Sequence, residues 1–231
     1  MKLCARANFA NGRPEAGGHT QPIAPGLAAA ALAAFLVVLG AGLEGRTATF
    51  DPATLAASKS LEAKLQILES KDTQTSTSYP AVIITENEAN SYLKVHSGET
   101  LPMGVRAPSL SIQPEHATVS ADVDFDALSR SYPNPNNWGP KVLAAMFKGT
   151  QHVTVTAKIQ SEDSGARVQI ENVVVGTITV PSWLVDYVVQ NVLQPRYNFD
   201  LSKPVPYPDH VTKLVLGSGQ VTFLRGPKGG K

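Results

Sequence analysis

The sequence contains a single cysteine, Cys4, in 231 residues. That excludes a disulfide framework and any metal site built on cysteine. Cys4 also precedes the first apolar run instead of following it, which argues against a lipid-modified N-terminal cysteine. Aromatic residues are scarce at 6 %, so a core has to be assembled from Val, Leu, Ile and Ala. Charge of one sign is equally short. The net charge is +1, with Lys2, Arg6 and Arg13 against Glu15 in the first 43 residues, which leaves 17 basic and 18 acidic residues for the remainder. A body so close to neutral lacks the clustered cations that phosphates require, which excludes nucleic acid as a partner.

The signatures of chemistry are missing too. There is no H-E-x-x-H, no G-x-S-x-G, no phosphate-binding glycine loop and no dinucleotide fingerprint. His19, His96, His116, His152 and His210 are scattered, with no i, i+4 pair to hold a metal. Ser91-Tyr92-Leu93-Lys94 has the S-x-x-K spacing of penicillin-recognising acyl-transfer enzymes, but the companion motifs S-D-N and K-T-G are absent, so it reads as a solvated helix face. Asp122, Asp124 and Asp126 share one strand face, yet a strand cannot wrap a hard cation as a loop does, and Lys158 on a neighbouring strand is placed to balance their charge. The expectation is a protein that is not an enzyme and uses no cofactor or metal.

What is present begins with residues 26–43, an uncharged run rich in Ala, Leu and Val. Eighteen residues is the short limit for a bilayer span, and the basic arm before it places the N-terminus in the cytoplasm and the rest outside. Residues 1–45 are therefore read as a cytoplasmic arm and a signal or anchor helix, a single pass through the inner membrane with an extracytoplasmic, periplasmic C-terminal domain. Cleavage stays open, because Gly40 and Gly42 are small but Glu44 and Arg46 follow closely. Asp51-Pro52 starts a charged helix whose narrow stripe, Leu61, Leu65 and Leu68, suits a stalk or lid. A Ser/Thr linker ends residues 46–80, and residues 81–225 form the folded α+β unit, with 226–231 as a tail.

Within that unit, Thr85 and Glu88 make a capping box for a helix carrying Ala89, Tyr92, Leu93 and His96 on one face. Strands are expected over Val105–Gln113 and Ala117–Phe125, a turn-rich loop over 131–140, and a short helix over Lys141–Lys148 with Met146 and Phe147 on its apolar face. The organising stretch is Thr150–Leu193. A strand to Gln160 alternates apolar and polar side chains; a second, from Arg167 to Val180, begins that way and then loses the alternation at Val173–Val175. A strand apolar on both faces has to be covered on both, or face something apolar that is not protein. Pro181 then opens a helix, apolar on most sides, through Trp183, Leu184, Val188 and Val192. A hairpin around Gly217-Ser218-Gly219 closes the domain.

The order of these pieces resembles a known family. "ITENEANSYL" (Ile84–Leu93), long meandering strands, G-x-I-x-V-P (Gly176–Pro181) before an apolar helix, and "YPDHVTKLVLGSGQVTFL" (Tyr207–Leu224) are similar to bacterial exported tubular lipid-binding (TULIP-like) proteins, here as a single membrane-anchored unit. The resemblance implies an α+β fold in which a long, curved antiparallel sheet wraps one or two helices. It implies binding of a lipid or acyl chain, with no catalytic residue to carry over. The side chains expected to line such a groove are Val173, Val175, Leu184, Val188 and Val192, with Met146 and Phe147 near its mouth. The alternative expectation is an envelope structural or assembly protein that docks a protein partner on its sheet.

Overall fold

The computed structural model describes residues 50–70, 79–97, 101, 103–130, 146–163, 165–194, 200–208 and 210–226. The apolar run 26–43, the linker 72–78, the loop 131–140, most of the helix expected over 141–148 and the tail from 227 lie outside these residues. Among the described residues no helix is long and apolar enough to cross a membrane.

Helix α1 (Pro52–Glu69) starts where the sequence predicts, with the Asp51 carboxylate accepting from the Thr54 backbone N–H at 2.9 Å. Its role differs from the stalk or lid expected of it. Leu61 and Leu68 are buried in the main core, and Ser58 is buried beside them. The stripe is narrow because charged groups on the same helix are also used inward. Lys64 Nζ donates to Glu88 Oε1 and Oε2 at 2.5 and 2.7 Å, and Ser60 Oγ donates to Glu88 Oε1 at 2.5 Å. Glu88 lies on α2 (Glu86–Val95), whose capping box with Thr85 forms as expected. Burial alone would raise the Glu88 pKa; the hydrogen bonds from Lys64, Ser60 and the Thr85 backbone, with the Lys64 charge, overcome it and lower it to about 2. The two helices are thus held by one buried, fully hydrogen-bonded carboxylate as well as by their leucines.

Two antiparallel sheets follow. In the smaller, β1 (Val82–Thr85) pairs with β9 (Gln220–Arg225), which pairs with β8 (Val211–Gly217). The larger is a meander: β2 (Val105–Gln113), β3 (His116–Asp124), β4 (Thr150–Glu162), β5 (Gly165–Val175) and β6 (Ile178–Thr179), with β7 (Val205–Pro206) on the start of β5. The smaller sheet's hairpin turn is tied to β2, since Gly219 N–H donates to the Ile112 carbonyl at 2.8 Å. Two further short helices lie among the described residues, α3 (Phe125–Arg130) and α4 (Ser182–Val188), the latter running into a π-helical turn over Val189–Leu193.

Two expectations for the organising stretch are corrected. The second strand does not run to Val180: it stops at Val175, where Gly176 takes φ +60° and turns the chain back as β6. The helix from Ser182 is not buried on most sides. It buries Leu184 and, in the following turn, Val189, while Trp183 is 64 % exposed. Leaving the strand at Gly176 sets α4 against the end of the sheet, so only one of its faces meets a core.

The large sheet carries two cores on one face. Beside one end, α1, α2, the small sheet, Leu110, Ile112, Ala117, Ala157, Ile159, Ala166 and Val168 form the main core. At the other end Phe125, Phe147, Val175, Val180 and Leu184 form a second.

Candidate functional site

Pairing across the strands shows which side chains share the core-facing side, because residues directly opposite each other point the same way. One row runs Leu110–Val119–Val155–Val173 across β2 to β5, and the next runs Ala121–Val153–Val175–Ile178 across β3 to β6. Leu110 belongs to the main core, and Val119 packs against it; Val153, Val173 and Val175 belong to or pack against the second. Ala121 and Val155 belong to neither and are half-buried. A seam of small apolar side chains therefore crosses the sheet between the two cores.

The lapse in alternation that the sequence shows at Val173–Val175 has a local cause. Thr156 pairs with Asn172 but Ala157 pairs with Ile170, so Glu171 is an extra residue in β5, a β-bulge. The bulge moves the inward positions from Ala166, Val168 and Ile170 to Val173 and Val175. The strand keeps one apolar and one polar face, and only Val174 stands among the hydroxyls of the other side, opposite Thr154. That outer face is hydrogen-bonded side chain to side chain, Thr118 with Thr156 at 3.2 Å and Ser120 with Thr154 at 3.1 Å. Glu171 itself reaches His116 at 3.2 Å. The strand is therefore not apolar on both faces.

Beside the bulge, Val173, which pairs with Val155 at the end of one row, also lines a recess of about 260 Å³. Ile170, Val173, Val180, Pro181 and Val185 supply its apolar lining, and Glu171, Asn172, Thr179, Ser182 and Asp186 its polar groups. Its walls are β5, β6 and the first turn of α4. Val180 N–H donates to the Val173 carbonyl at 2.8 Å and Gly176 N–H to the His152 carbonyl at 2.7 Å, so the wall is fixed by backbone bonds to the sheet.

Of the side chains expected to line a groove, Phe147, Val175 and Leu184 come together but are buried in the second core, with Phe125 and Phe147 rings 5.3 Å apart. Val173 and Val188 are partly buried against that core, and Val173 alone among the expected residues also lines the recess. Met146 is 49 % exposed. Val192 lies in the π-helical turn, with its side chain outside the described residues. Val155, Ile170, Val180 and Val185 were not expected. For Ile170 the signal was available in the spacing, since inward apolar residues at 166, 168 and 170 followed by 173 and 175 imply one inserted residue.

The sequence patterns weighed for chemistry are dispersed. Ser91 is buried and Lys94 exposed, so the S-x-x-K pair is not one solvated face. Asp122 pairs with His152 at 2.9 Å; Asp124 accepts from Ala127 N–H at 2.9 Å at the start of α3; and Asp126 accepts from Gly149 N–H at 3.2 Å. Lys158 reaches Glu115 instead of these carboxylates. Among the described residues no group of acidic, His or Cys side chains is placed to hold a metal.

No protein family and no curated protein matches the sequence. Among solved structures, one described as "Crystal structure of lipopolysaccharide binding protein" is similar at 12 % sequence identity and a TM-score of 0.22, over 64 % of this chain and 40 % of that one. A likeness that loose carries no assignment of fold or ligand. The described residues of this chain are, on their own evidence, a mixed α and β structure with a long antiparallel sheet and few helices.

Proposed function

We propose that this chain is an extracytoplasmic, non-catalytic binding protein for a lipid or another apolar molecule, held at the inner membrane by residues 26–43. The observation that carries the reading is the half-buried seam through Ala121 and Val155, which is joined through Val173 to a recess lined by both apolar and polar side chains. Pockets that enclose a drug-sized ligand hold roughly 300–1,000 Å³. The recess is smaller, so an acyl chain fits only if it continues from the recess along the seam between the two cores. Each buried methylene contributes about 0.8 kcal/mol, so even four methylenes in the recess gain on the order of 3 kcal/mol before ordering costs. Glu171, Asn172, Ser182 and Asp186 stand where the polar end of an amphiphile emerges.

The test is native mass spectrometry of the full chain extracted in mild detergent, with displacement of an apolar dye as a second readout. Bound lipid is expected, and Val173→Asp should lower it at least about tenfold while circular dichroism stays unchanged, because a charge in the recess must be desolvated by an incoming chain. Bare protein throughout, with no dye displaced, overturns the reading. One observation favours the alternative of an envelope assembly protein docking a partner on its sheet. Ile83, Val215 and Leu224 are exposed on the outer face of the small sheet, the first two flanking Thr222 in one cross-strand row. Partner cross-links at that face from lipid-free protein would support it.

A further inference from the structure

A second exposed apolar feature lies at the recess. Ile178 is 54 % exposed and Trp183 is 64 % exposed, and they flank Thr179, Val180, Pro181 and Ser182, all of which line the recess. From Asn172 to Val185 no residue carries a charge; Glu171 and Asp186, both exposed, bound the stretch. Part of its backbone is satisfied from within. β6 pairs with β5, Gly176 and Val180 donate to the sheet, Leu184 and Val185 donate to the Pro181 carbonyl, and Pro181 has no N–H to leave unpaired at the helix start.

We infer that the β6–α4 corner, led by Ile178 and Trp183, docks into the interfacial layer of a lipid bilayer and is the side from which the recess takes up its ligand. Entering that layer is costly for ions, and residues 172–185 carry none, with the carboxylates of Glu171 and Asp186 at the two limits of the stretch. Tryptophan suits the boundary because its ring is apolar and its indole N–H is polar. The exposed apolar face at Ile83, Val215 and Leu224 carries Lys213 opposite Leu224 and lies on the small sheet, none of whose residues lines the recess. The inference rests on the lipid-binding reading, since it identifies the mouth of the same site.

The sequence has two tryptophans, Trp138 and Trp183, so Trp138→Phe leaves Trp183 as the sole reporter. The full-length W138F chain is mixed with phosphatidylcholine vesicles whose acyl chains carry bromine either near the headgroup or near the terminal methyl. Expected are a blue shift of Trp183 emission and quenching that is stronger with the shallow bromine. Adding Ile178→Asp should reduce that quenching at least about threefold without changing the far-ultraviolet circular dichroism. Unshifted and unquenched Trp183 emission on vesicle-bound protein overturns the proposal, as does a blue shift that depends on protein concentration alone, which would mean the corner meets a second copy. Lipid recovered with the purified protein is measured in parallel. Quenching without recovered lipid leaves the docking standing and removes the capture; recovered lipid without quenching does the reverse.

Discussion

The two ends of the large sheet are built from similar residues and closed in different ways. Among the described residues, the main core gathers eighteen buried side chains from two helices, both sheets and all four long strands. The second core gathers five, closed by a short helix and two phenylalanines. Cooperative stability follows the apolar surface withdrawn from water, so the main core fixes the fold, while the second is the region that can open locally without unfolding the rest. A binding protein for an apolar guest needs both properties in one sheet: a rigid frame and a boundary that parts at low cost.

The largest expected effect lies at the rigid end. Phe223→Ala removes a ring that is 2 % exposed and should cost about 3–5 kcal/mol, read as a lower midpoint in chemical denaturation with the whole chain unfolding together. Leu184→Ala is as deeply buried, yet in the second core it should act mainly locally. The prediction is faster hydrogen exchange over Ile178–Val189 and near-normal exchange in α2 and β9. Uniform acceleration across both cores would mean that they are one cooperative unit.

Glu88 separates the ends by pH. Its pKa falls from 4.5 to about 2 on folding, so its contribution is complete above about pH 4.5 and is lost as pH falls toward 2. Acidification should therefore loosen the α1–α2 contact first, and Glu88→Gln, which leaves Lys64 without its counter-charge, should cost on the order of 2 kcal/mol at neutral pH and flatten the acid limb of the stability curve. The smallest effect is expected at the turn into the second core. Gly176→Ala places a side chain at φ +60° with its Cβ 2.9 Å from Gln151 Oε1, at the end of a side chain that can swing aside, and should cost about 1 kcal/mol in thermal melting.

How much of this was legible in the sequence follows the same division. The capping box at Thr85, the N-cap at Asp51 and the closing hairpin follow from short-range rules and appear as expected. Helix α1 did not read as part of the core, because Leu61 and Leu68 make a thin stripe and its remaining inward contacts are made by Ser60 and Lys64, residues whose pairing depends on a carboxylate 24 or more positions away. The stretch named for the candidate site is the one that holds the recess, and Val173 alone of the side chains named for it lines that recess. Phe147, Val175 and Leu184 read as groove lining but lie in a core, since hydrophobicity alone does not distinguish the two. The bulge at Glu171 was written in the three-residue step from Ile170 to Val173, and it converts an apparently two-sided strand into an ordinary one-sided strand with a kink.

Photo-crosslinking with a fatty acid that carries a diazirine near its terminal methyl tests the central claim most directly. The account predicts adducts on Val155, Val173, Val180 and Val185 in the full chain, competed by unlabelled fatty acid and absent from Val173→Asp. Adducts confined to Ile83, Val215 and Leu224, or no competed adduct anywhere, would contradict it and leave the seam as ordinary packing between two cores.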